Sequence, residues 1–227
     1  YLSIAAHGHA DALTFTLTVG GRPFLVDPGT FAYHTEGAWR RYFRGTSAHN
    51  TVVVDGEDQS VFAGPFLWLR HAEATVDEFI CSPGLQVLVA HHRGYRRLAD
   101  PVTHRRTWRY DAADAVLEIA DELLCSGQHT AESFWHFAPE CQVVYGSNGR
   151  VTAERDGLRV ELEPPESLSV TLVRGRTAEG EARPLGWVSS GFDLKTPATT
   201  VVFAGRIRGE TRLESRLRIW RPPAPQK

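Results

Sequence analysis

The sequence contains no methionine and only three cysteines, and all but two of its basic residues are arginines. The cysteines (Cys81, Cys125 and Cys141) are odd in number and show no CxxC spacing, which excludes a disulfide framework and a zinc knuckle. We expect them to be small buried hydrophobes. No window reaches the roughly 18 consecutive apolar residues of a membrane span. Because the chain has neither an initiator methionine nor a signal peptide, we expect it to begin within a longer protein.

Charge is also nearly balanced. The formal net charge is −2 and the isoelectric point is about 6.6, and no basic stripe points to nucleic acid. Apart from Lys195 and Lys227, the positive charge is arginine, whose guanidinium makes two-point contacts with carboxylates. The composition therefore suits acidic ligands, although a GC-rich genome would produce the same bias.

What the sequence has in abundance is period-two alternation of apolar and polar residues, interrupted at short intervals by turn residues. This pattern predicts an all-β fold, a large antiparallel β-sandwich forming one domain over residues 1–220, with a flexible tail at 221–227. A short helical turn is expected at 39–43. The predicted strands are 13–19, 23–26, 51–54, 73–79, 85–91, 103–110, 115–123, 133–137, 142–145, 150–154, 158–162, 167–173 and 199–205.

Three potential metal ligands lie at predicted strand ends in the first quarter of the chain: His9, Asp27 and His49. Two imidazoles and a carboxylate suit zinc, and three protein ligands leave one position open. His7 lies two residues before His9, so both side chains point to the same side of an extended segment. The alternative is that each residue is satisfied locally, as a turn or strand-end group.

Between Asp27 and His49 the chain interleaves aromatic residues with arginines. Such a segment suits stacking on sugar rings and pairing with acidic substituents, so Trp39, Arg40 and Arg44 are predicted to bind substrate. His7, Tyr33 and Tyr42 are the candidate catalytic groups, because imidazole and a cation-activated phenol can both transfer protons. Alternatively, the aromatic segment simply packs onto the sandwich.

The other histidines give weaker signals. His91, His92 and His104 have no companion carboxylate at a useful spacing, and His136 lies in the apolar run Phe134–Phe137, which predicts a core strand. No nucleophile elbow, phosphate-binding loop or cysteine–histidine pair is present.

Three motifs in order, His-Gly-His-Ala-Asp, Phe-Leu-Val-Asp-Pro-Gly-Thr-Phe-Ala-Tyr and Tyr-Phe-Arg-Gly-Thr-Ser-Ala-His-Asn-Thr-Val-Val-Val-Asp-Gly, resemble the heparinase II/III-like polysaccharide lyases. The resemblance is to the C-terminal β-sandwich of that family and is dense from Ile4 to about Ser60. Beyond Ser60 only the all-β character and the length agree.

The resemblance implies that the protein is a carbon–oxygen lyase of bacterial, periplasmic or secreted origin that cleaves uronic-acid-containing polysaccharide by β-elimination. It implies a zinc ion on His9, Asp27 and His49 with a structural role, an active-site histidine at His7, and a tyrosine at Tyr33 or Tyr42. It also implies an N-terminal α/α toroid, which this sequence lacks, so the isolated chain is expected to be nearly inactive.

Two other functions stay open. A non-catalytic module that binds acidic carbohydrate also fits a sandwich with an aromatic loop. A metal-dependent hydrolase could use the open zinc position to activate water, but no general-base glutamate stands beside the ligands.

Overall fold

A computed structural model describes residues 5–33, 37–177 and 183–220. One helix, α1 (Gly37–Arg44), two short 3-10 helices and many strands make up these ranges. In chain order the strands are β1 (Leu17–Val19), β2 (Arg22–Leu25), β3 (Val52–Val54), β4 (Val61–Phe62), β5 (Trp68–Arg70), β6 (Ala74–Ser82), β7 (Leu85–His92), β8 (Thr103–Asp111), β9 (Val116–Leu124), β10 (Gln128–His136), β11 (Gln142–Tyr145), β12 (Val151–Arg155), β13 (Leu158–Glu163), β14 (Ser169–Arg174), β15 (Trp187–Gly191), β16 (Leu194–Pro197), β17 (Thr199–Arg208) and β18 (Thr211–Trp220).

Two antiparallel sheets form the body of the fold, which confirms the predicted all-β sandwich. The smaller sheet has the strand order β14-β17-β10-β3, and the larger has the order β11-β12-β13-β18-β9-β8-β7-β6. Buried side chains from both sheets share one core, among them Trp135 and Phe203 from the small sheet and Ile119 and Leu217 from the large one. Three two-stranded sheets, β1-β2, β4-β5 and β15-β16, stand beside them.

The outer face of the large sheet explains much of the arginine content. Exposed arginines pair with glutamates on neighbouring strands, for example Arg105 with Glu122 at 2.7 Å and Arg216 with Glu118 at 2.9 Å. These cations are therefore engaged within the sheet, and arginine content alone does not mark a surface for acidic ligands.

The first predicted strand is wrong over half of its length, since β1 starts only at Leu17. Leu13 has a φ of 62°, and the Thr14 amide donates to the Asp11 carbonyl, so the chain turns there. The side chain of Asn50, rather than a neighbouring strand, binds the Phe15 carbonyl at 2.8 Å. The segment is thereby fixed as an irregular loop beside β3.

Helix α1 extends the predicted helical turn by a few residues and packs its aromatic side on the outer face of the small sheet. Tyr42 and Phe43 are buried there against Val53, Phe134 and Val202. Within the described ranges no helix is both long and apolar enough to cross a membrane. The predicted tail at 221–227 lies outside the described residues.

Candidate metal centre and active site

The structure brings His9, Asp27 and His49 together. Their possible ligand atoms all lie within 4.8 Å of one another. His49 Nδ1 is 2.8 Å from Asp27 Oδ2, and the rings of His9 and His49 have centroids 5.2 Å apart. His9 comes from the N-terminal loop, Asp27 from the turn after β2, and His49 from the position directly after the 3-10 helix that precedes β3.

The turn at Asp27 is built for a close approach of two backbones. Asp27 Oδ1 accepts a hydrogen bond of 3.0 Å from the Gly29 amide, and Gly29 has a φ of 79°. A Cβ at Gly29 would lie 2.4 Å from the Ser189 carbonyl oxygen, so any side chain there would clash with β15. Glycine therefore lets Asp27 present its second oxygen to His49.

Asn50 holds the neighbouring segments in place around His49. Its side-chain amide donates to the carbonyls of Phe15 at 2.8 Å and Val26 at 3.0 Å, and its carbonyl accepts from the His136 amide at 2.6 Å. One fully buried side chain thus ties the N-terminal loop, the end of β2 and β10 together. Asn50 was not among the residues singled out from the sequence, although it directly follows a predicted ligand.

The charge states of this cluster suit a cation. Burial, reinforced by the nearby His49, lowers the pKa of His9 to about 4, so its imidazole is neutral at neutral pH. Burial alone would raise the pKa of Asp27, but the hydrogen bond and charge of His49, the Gly29 amide and His9 together outweigh it, so the pKa is lowered and the carboxylate stays ionised. His49 Nε2 is buried and has no hydrogen-bond partner in the described chain. Neutral imidazole and carboxylate donors with an orphaned nitrogen fit zinc.

His7 and Tyr33 lie next to this cluster and touch each other. Their rings meet edge to face with centroids 4.9 Å apart. The guanidinium of Arg40 lies 4.9 Å from the centroid of the Tyr33 ring, and Phe192 packs on the same ring at 5.3 Å. His7 is exposed and Tyr33 is partly exposed, so both can be reached by a ligand.

The structure does not support the predicted catalytic role of Tyr42. Its side chain is buried, and its hydroxyl contacts the backbone of Trp187 at 3.4 Å. Burial raises the pKa of this phenol, which is the opposite of what a tyrosine base needs. Of the two tyrosines predicted from the sequence, the structure leaves Tyr33 as the accessible one.

Arg44, predicted to bind substrate, has a packing role in this structure. Its guanidinium donates to the carbonyls of Gly64 at 2.8 Å and Pro65 at 2.7 Å. It also packs against the rings of Trp68, at 4.3 Å, and Phe62, at 4.8 Å. Arg44 is only 2% exposed and fixes the β4–β5 hairpin, but its Nε and Nη2 have no partner among the described residues and it lines one cavity with Tyr33 and Arg40.

Arg40 and Trp39 are partly engaged in packing as well. Arg40 Nη2 donates to the carbonyls of Ala6 and Pro65, both at 3.3 Å. Its Nη1 has no partner among the described residues, and it lines a cavity of about 450 Å³ together with Tyr33. Trp39 packs edge to face on Trp187 at 5.4 Å, as the packing alternative requires. Arg40 and Arg44 both line this cavity, so ligand contact stays a prediction for each of them.

His91 and His104 have no companion carboxylate nearby in the sequence, but neighbouring strands supply one to each. His91 Nδ1 is 2.8 Å from Asp77, and His104 Nε2 is 2.6 Å from Asp121. Arg106 also makes a two-point contact with Asp121, at 2.6 and 2.9 Å. These pairings depend on sheet register, which sequence spacing does not reveal. His136, as predicted, is a core histidine, with Thr200 and the Ser47 carbonyl as partners.

Comparison with known proteins shows the family to which the chain belongs. The profile of the family described as heparinase II/III-like, C-terminal, matches residues 1–216. A heparin-sulfate lyase of Bacteroides thetaiotaomicron is 30% identical over 112 residues, which cover 48% of this chain and 14% of that protein. The crystal structure of the heparan sulfate lyase HepC from Pedobacter heparinus superposes on 95% of the chain with a TM-score of 0.77 at 19% identity. A heparinase III structure superposes on 93% with a TM-score of 0.72 at 20% identity.

At sequence identities this low, the superposed structures establish the fold of the chain and nothing beyond it. The chain spans 31% of HepC and 30% of the heparinase III chain, so it corresponds to less than a third of each. The profile, by contrast, extends over nearly the whole sequence and includes all the motifs that carry the cluster. This chain belongs to the heparinase II/III-like, C-terminal family.

Proposed function

We propose that this chain is the β-sandwich part of a polysaccharide lyase that cleaves uronic-acid-containing polysaccharide by β-elimination. The observation that carries the proposal is the contact between His7 and Tyr33, two accessible proton-transfer groups with centroids 4.9 Å apart, beside the His9–Asp27–His49 cluster. The names of the relatives, a heparin-sulfate lyase and a heparan sulfate lyase, support a glycosaminoglycan-like substrate.

The reaction makes three demands on an active site. The proton on the carbon beside the uronate carboxylate is weakly acidic, so the carboxylate must be neutralised as negative charge spreads into it. A base removes this proton, and the electron pair forms the new carbon–carbon double bond. The glycosidic oxygen leaves from the adjacent carbon and is protonated by an acid. No water is consumed, and the product carries an unsaturated uronate.

His7 and Tyr33 can meet two of these demands. Tyr33 offers a phenol oxygen that can take and return a proton. His7 can donate a hydrogen bond to the substrate carboxylate from the adjacent position. Arg40 places a fixed positive charge 4.9 Å from the centre of the Tyr33 ring, beside the position proposed for the acidic sugar.

A zinc ion would be held by His9, Asp27 and His49. When bound, the ion would link the three chain segments that carry these ligands, and its role would be structural. Asn50 and Gly29 preserve the same arrangement through the backbone, so the residues that face the substrate start from an ordered framework.

The remaining groups are proposed to lie in a part of the protein beyond this chain, an N-terminal α/α toroid that completes the cleft. The isolated chain is then nearly inactive. Periplasmic or secreted localisation belongs to the same proposal.

The test is an assay of the full-length protein on heparan sulfate, alginate and other acidic polysaccharides. Unsaturated uronate absorbs in the ultraviolet, so β-elimination appears as a rise in absorbance. Replacement of His7 by alanine should lower kcat/KM by about 10²–10⁴-fold. No rise on any substrate with the zinc-loaded protein would overturn the proposal.

The alternative is an acidic-carbohydrate-binding module without chemistry of its own. It is favoured by the small share of each lyase that the chain covers. Calorimetry of the full-length protein with the same polysaccharides separates the lyase from the binding module. A binding module gives a heat of binding but no unsaturated uronate.

A further inference from the structure

A second cluster of metal-ligand side chains lies outside the proposed active site. Asp100 precedes β8, Cys125 follows β9, and His129 lies in β10. Their possible ligand atoms are all within 4.8 Å of one another. We propose that these three residues bind a second divalent transition-metal ion, with zinc as the best match to a mixed sulfur, nitrogen and oxygen donor set.

The orientation of His129 is the first argument. Its Nδ1 lies 2.6 Å from Asp55 Oδ2, and Asp55 Oδ1 is itself held by the Thr130 amide at 2.8 Å. A carboxylate that accepts from one ring nitrogen fixes the tautomer and points the other nitrogen at the metal. Asp55 thus orients the His129 ring, as outer-sphere carboxylates orient metal-binding histidines. The side chain of His129 is almost fully buried, so its ring cannot turn away freely.

The second argument is what faces the other nitrogen. His129 Nε2 lies 2.9 Å from Asp100 Oδ2, a hydrogen bond that a cation held by both residues would replace. The amides of Ser126 and Gly127 donate to the same Oδ2 at 3.2 and 2.7 Å. In the described chain Oδ1 of Asp100 has no such partner, so this carboxylate has a free oxygen for a cation.

Cys125 supplies the third donor. Its Sγ donates to the Gly209 carbonyl at 3.0 Å, and burial raises the pKa of the thiol, with Asp100 and Asp55 adding to the effect. Without a cation the sulfur therefore stays protonated. Metal binding replaces that proton by the metal–sulfur bond and releases it to solvent. One cation offsets the negative charge that two carboxylates and a thiolate bring together.

A metal-free explanation exists for part of the cluster. Burial alone would lower the pKa of His129, but the hydrogen bonds that its ring donates to Asp55 and Asp100, together with the negative charges of these carboxylates, outweigh it and raise the pKa. An imidazolium between two carboxylates would account for these three residues, but it assigns no role to the thiol. Cys125 is therefore the residue that separates the two explanations.

The consequence of metal binding is a cross-link. The ion would join the loop before β8, the β9–β10 connection and the start of β10, while Asp55 ties in the turn after β3. Chelation should then lower the melting temperature even in a variant that has lost the first centre.

The test is titration of the protein, prepared without a polyhistidine tag, with Co²⁺ as the probe. A thiolate on cobalt gives an intense near-ultraviolet charge-transfer band, and His9, Asp27 and His49 contain no sulfur. The band is expected in the wild type and in His9→Ala, and it is expected to disappear in Cys125→Ser and weaken in Asp100→Asn. The band does not report on the first centre, which has no sulfur ligand. Loss of the band therefore means failure of the second centre, whatever the state of the first.

Cys81→Ser is the matched control, since Cys81 is an exposed free thiol that can bind cobalt adventitiously. Loss of the band in Cys81→Ser but not in Cys125→Ser overturns the proposal. Absence of any thiolate band in the cobalt-saturated wild type also overturns the proposal. This outcome does not depend on the folding of a variant, and it leaves an imidazolium between two carboxylates as the explanation of the cluster.

Discussion

Arg106 reaches across the sandwich to the backbone of Asn50: its Nη1 donates to the Asn50 carbonyl oxygen at 2.6 Å and to the Leu13 carbonyl at 2.8 Å. The same guanidinium is held by Asp121 from β9. The large sheet therefore supports the loop that carries His49 through one arginine, and the proposed active site depends on a buried ion pair in the core.

Replacing Arg106 by alanine should lower the free energy of unfolding by about 3–5 kcal/mol, because it removes the guanidinium from a buried carboxylate and leaves Asp121 with only its contact to His104. Urea denaturation measures this loss. The matched control is Arg216→Ala, whose partner Glu118 and own side chain are 35% and 48% exposed. That change should cost about 1 kcal/mol or less. Equal losses from the two variants would contradict the role assigned to Arg106.

Tyr33 and Tyr42 should behave oppositely when each loses its hydroxyl. Tyr33→Phe is expected to lower the kcat of the full-length lyase by about 10²–10⁴-fold with little change in stability, because it removes a proton carrier at the surface. Tyr42→Phe should keep the activity and lose about 1 kcal/mol of stability, because it removes a buried hydrogen bond to Trp187. A Tyr33→Phe enzyme with wild-type kcat would exclude Tyr33 from proton transfer.

Much of the fold could be predicted from the alternation of apolar and polar residues. The strands that were not predicted were missed for local reasons. β18 alternates strictly, with Leu213, Leu217 and Ile219 buried and arginines between them, yet it was not predicted as a strand. β4, β5, β15 and β16 were missed as well; they are short and pair only in hairpins. Their stability comes from packing beside the site rather than from a pattern of their own.

The site was readable in part. Motif order pointed to His9, Asp27 and His49, and the structure places them together. Side-chain burial in α1 was not readable, since the groups that hold Arg44 and Tyr42 come from Pro65 and Trp187, distant in sequence. An arginine or tyrosine in an aromatic segment has the same sequence signature whether it faces a ligand or a carbonyl.

Removing one ligand of the first centre should release its ion. His9→Ala leaves one imidazole and one carboxylate, too few donors for tight zinc binding, so the zinc content should fall by one equivalent per chain. Elemental analysis after dialysis measures the content, and the melting temperature should fall with it. His71→Ala, at an exposed histidine outside the cluster, is the control. Unchanged zinc in His9→Ala would refute the assignment of these ligands.

Buried histidines in the large sheet should make the fold sensitive to acid. Burial lowers the pKa of His92 well below its usual value, with His104 next in effect, and burial also lowers the pKa of His104. Both are neutral in the folded state, whereas in the unfolded chain each binds a proton as the pH falls through about 6.5. Stability is therefore full above about pH 6.5 and is lost below it, by up to about 1.4 kcal/mol per pH unit for each histidine.

Urea denaturation of the wild type and of His92→Asn between pH 7.5 and 5 tests this. Asparagine can still accept the hydrogen bond that the Gly94 amide gives to His92 Nδ1, and it does not titrate. The variant should lose less stability than the wild type as the pH falls, even if it is less stable at pH 7.5. Parallel pH profiles would show that His92 already carries its proton in the folded state, against the burial that the structure assigns to it.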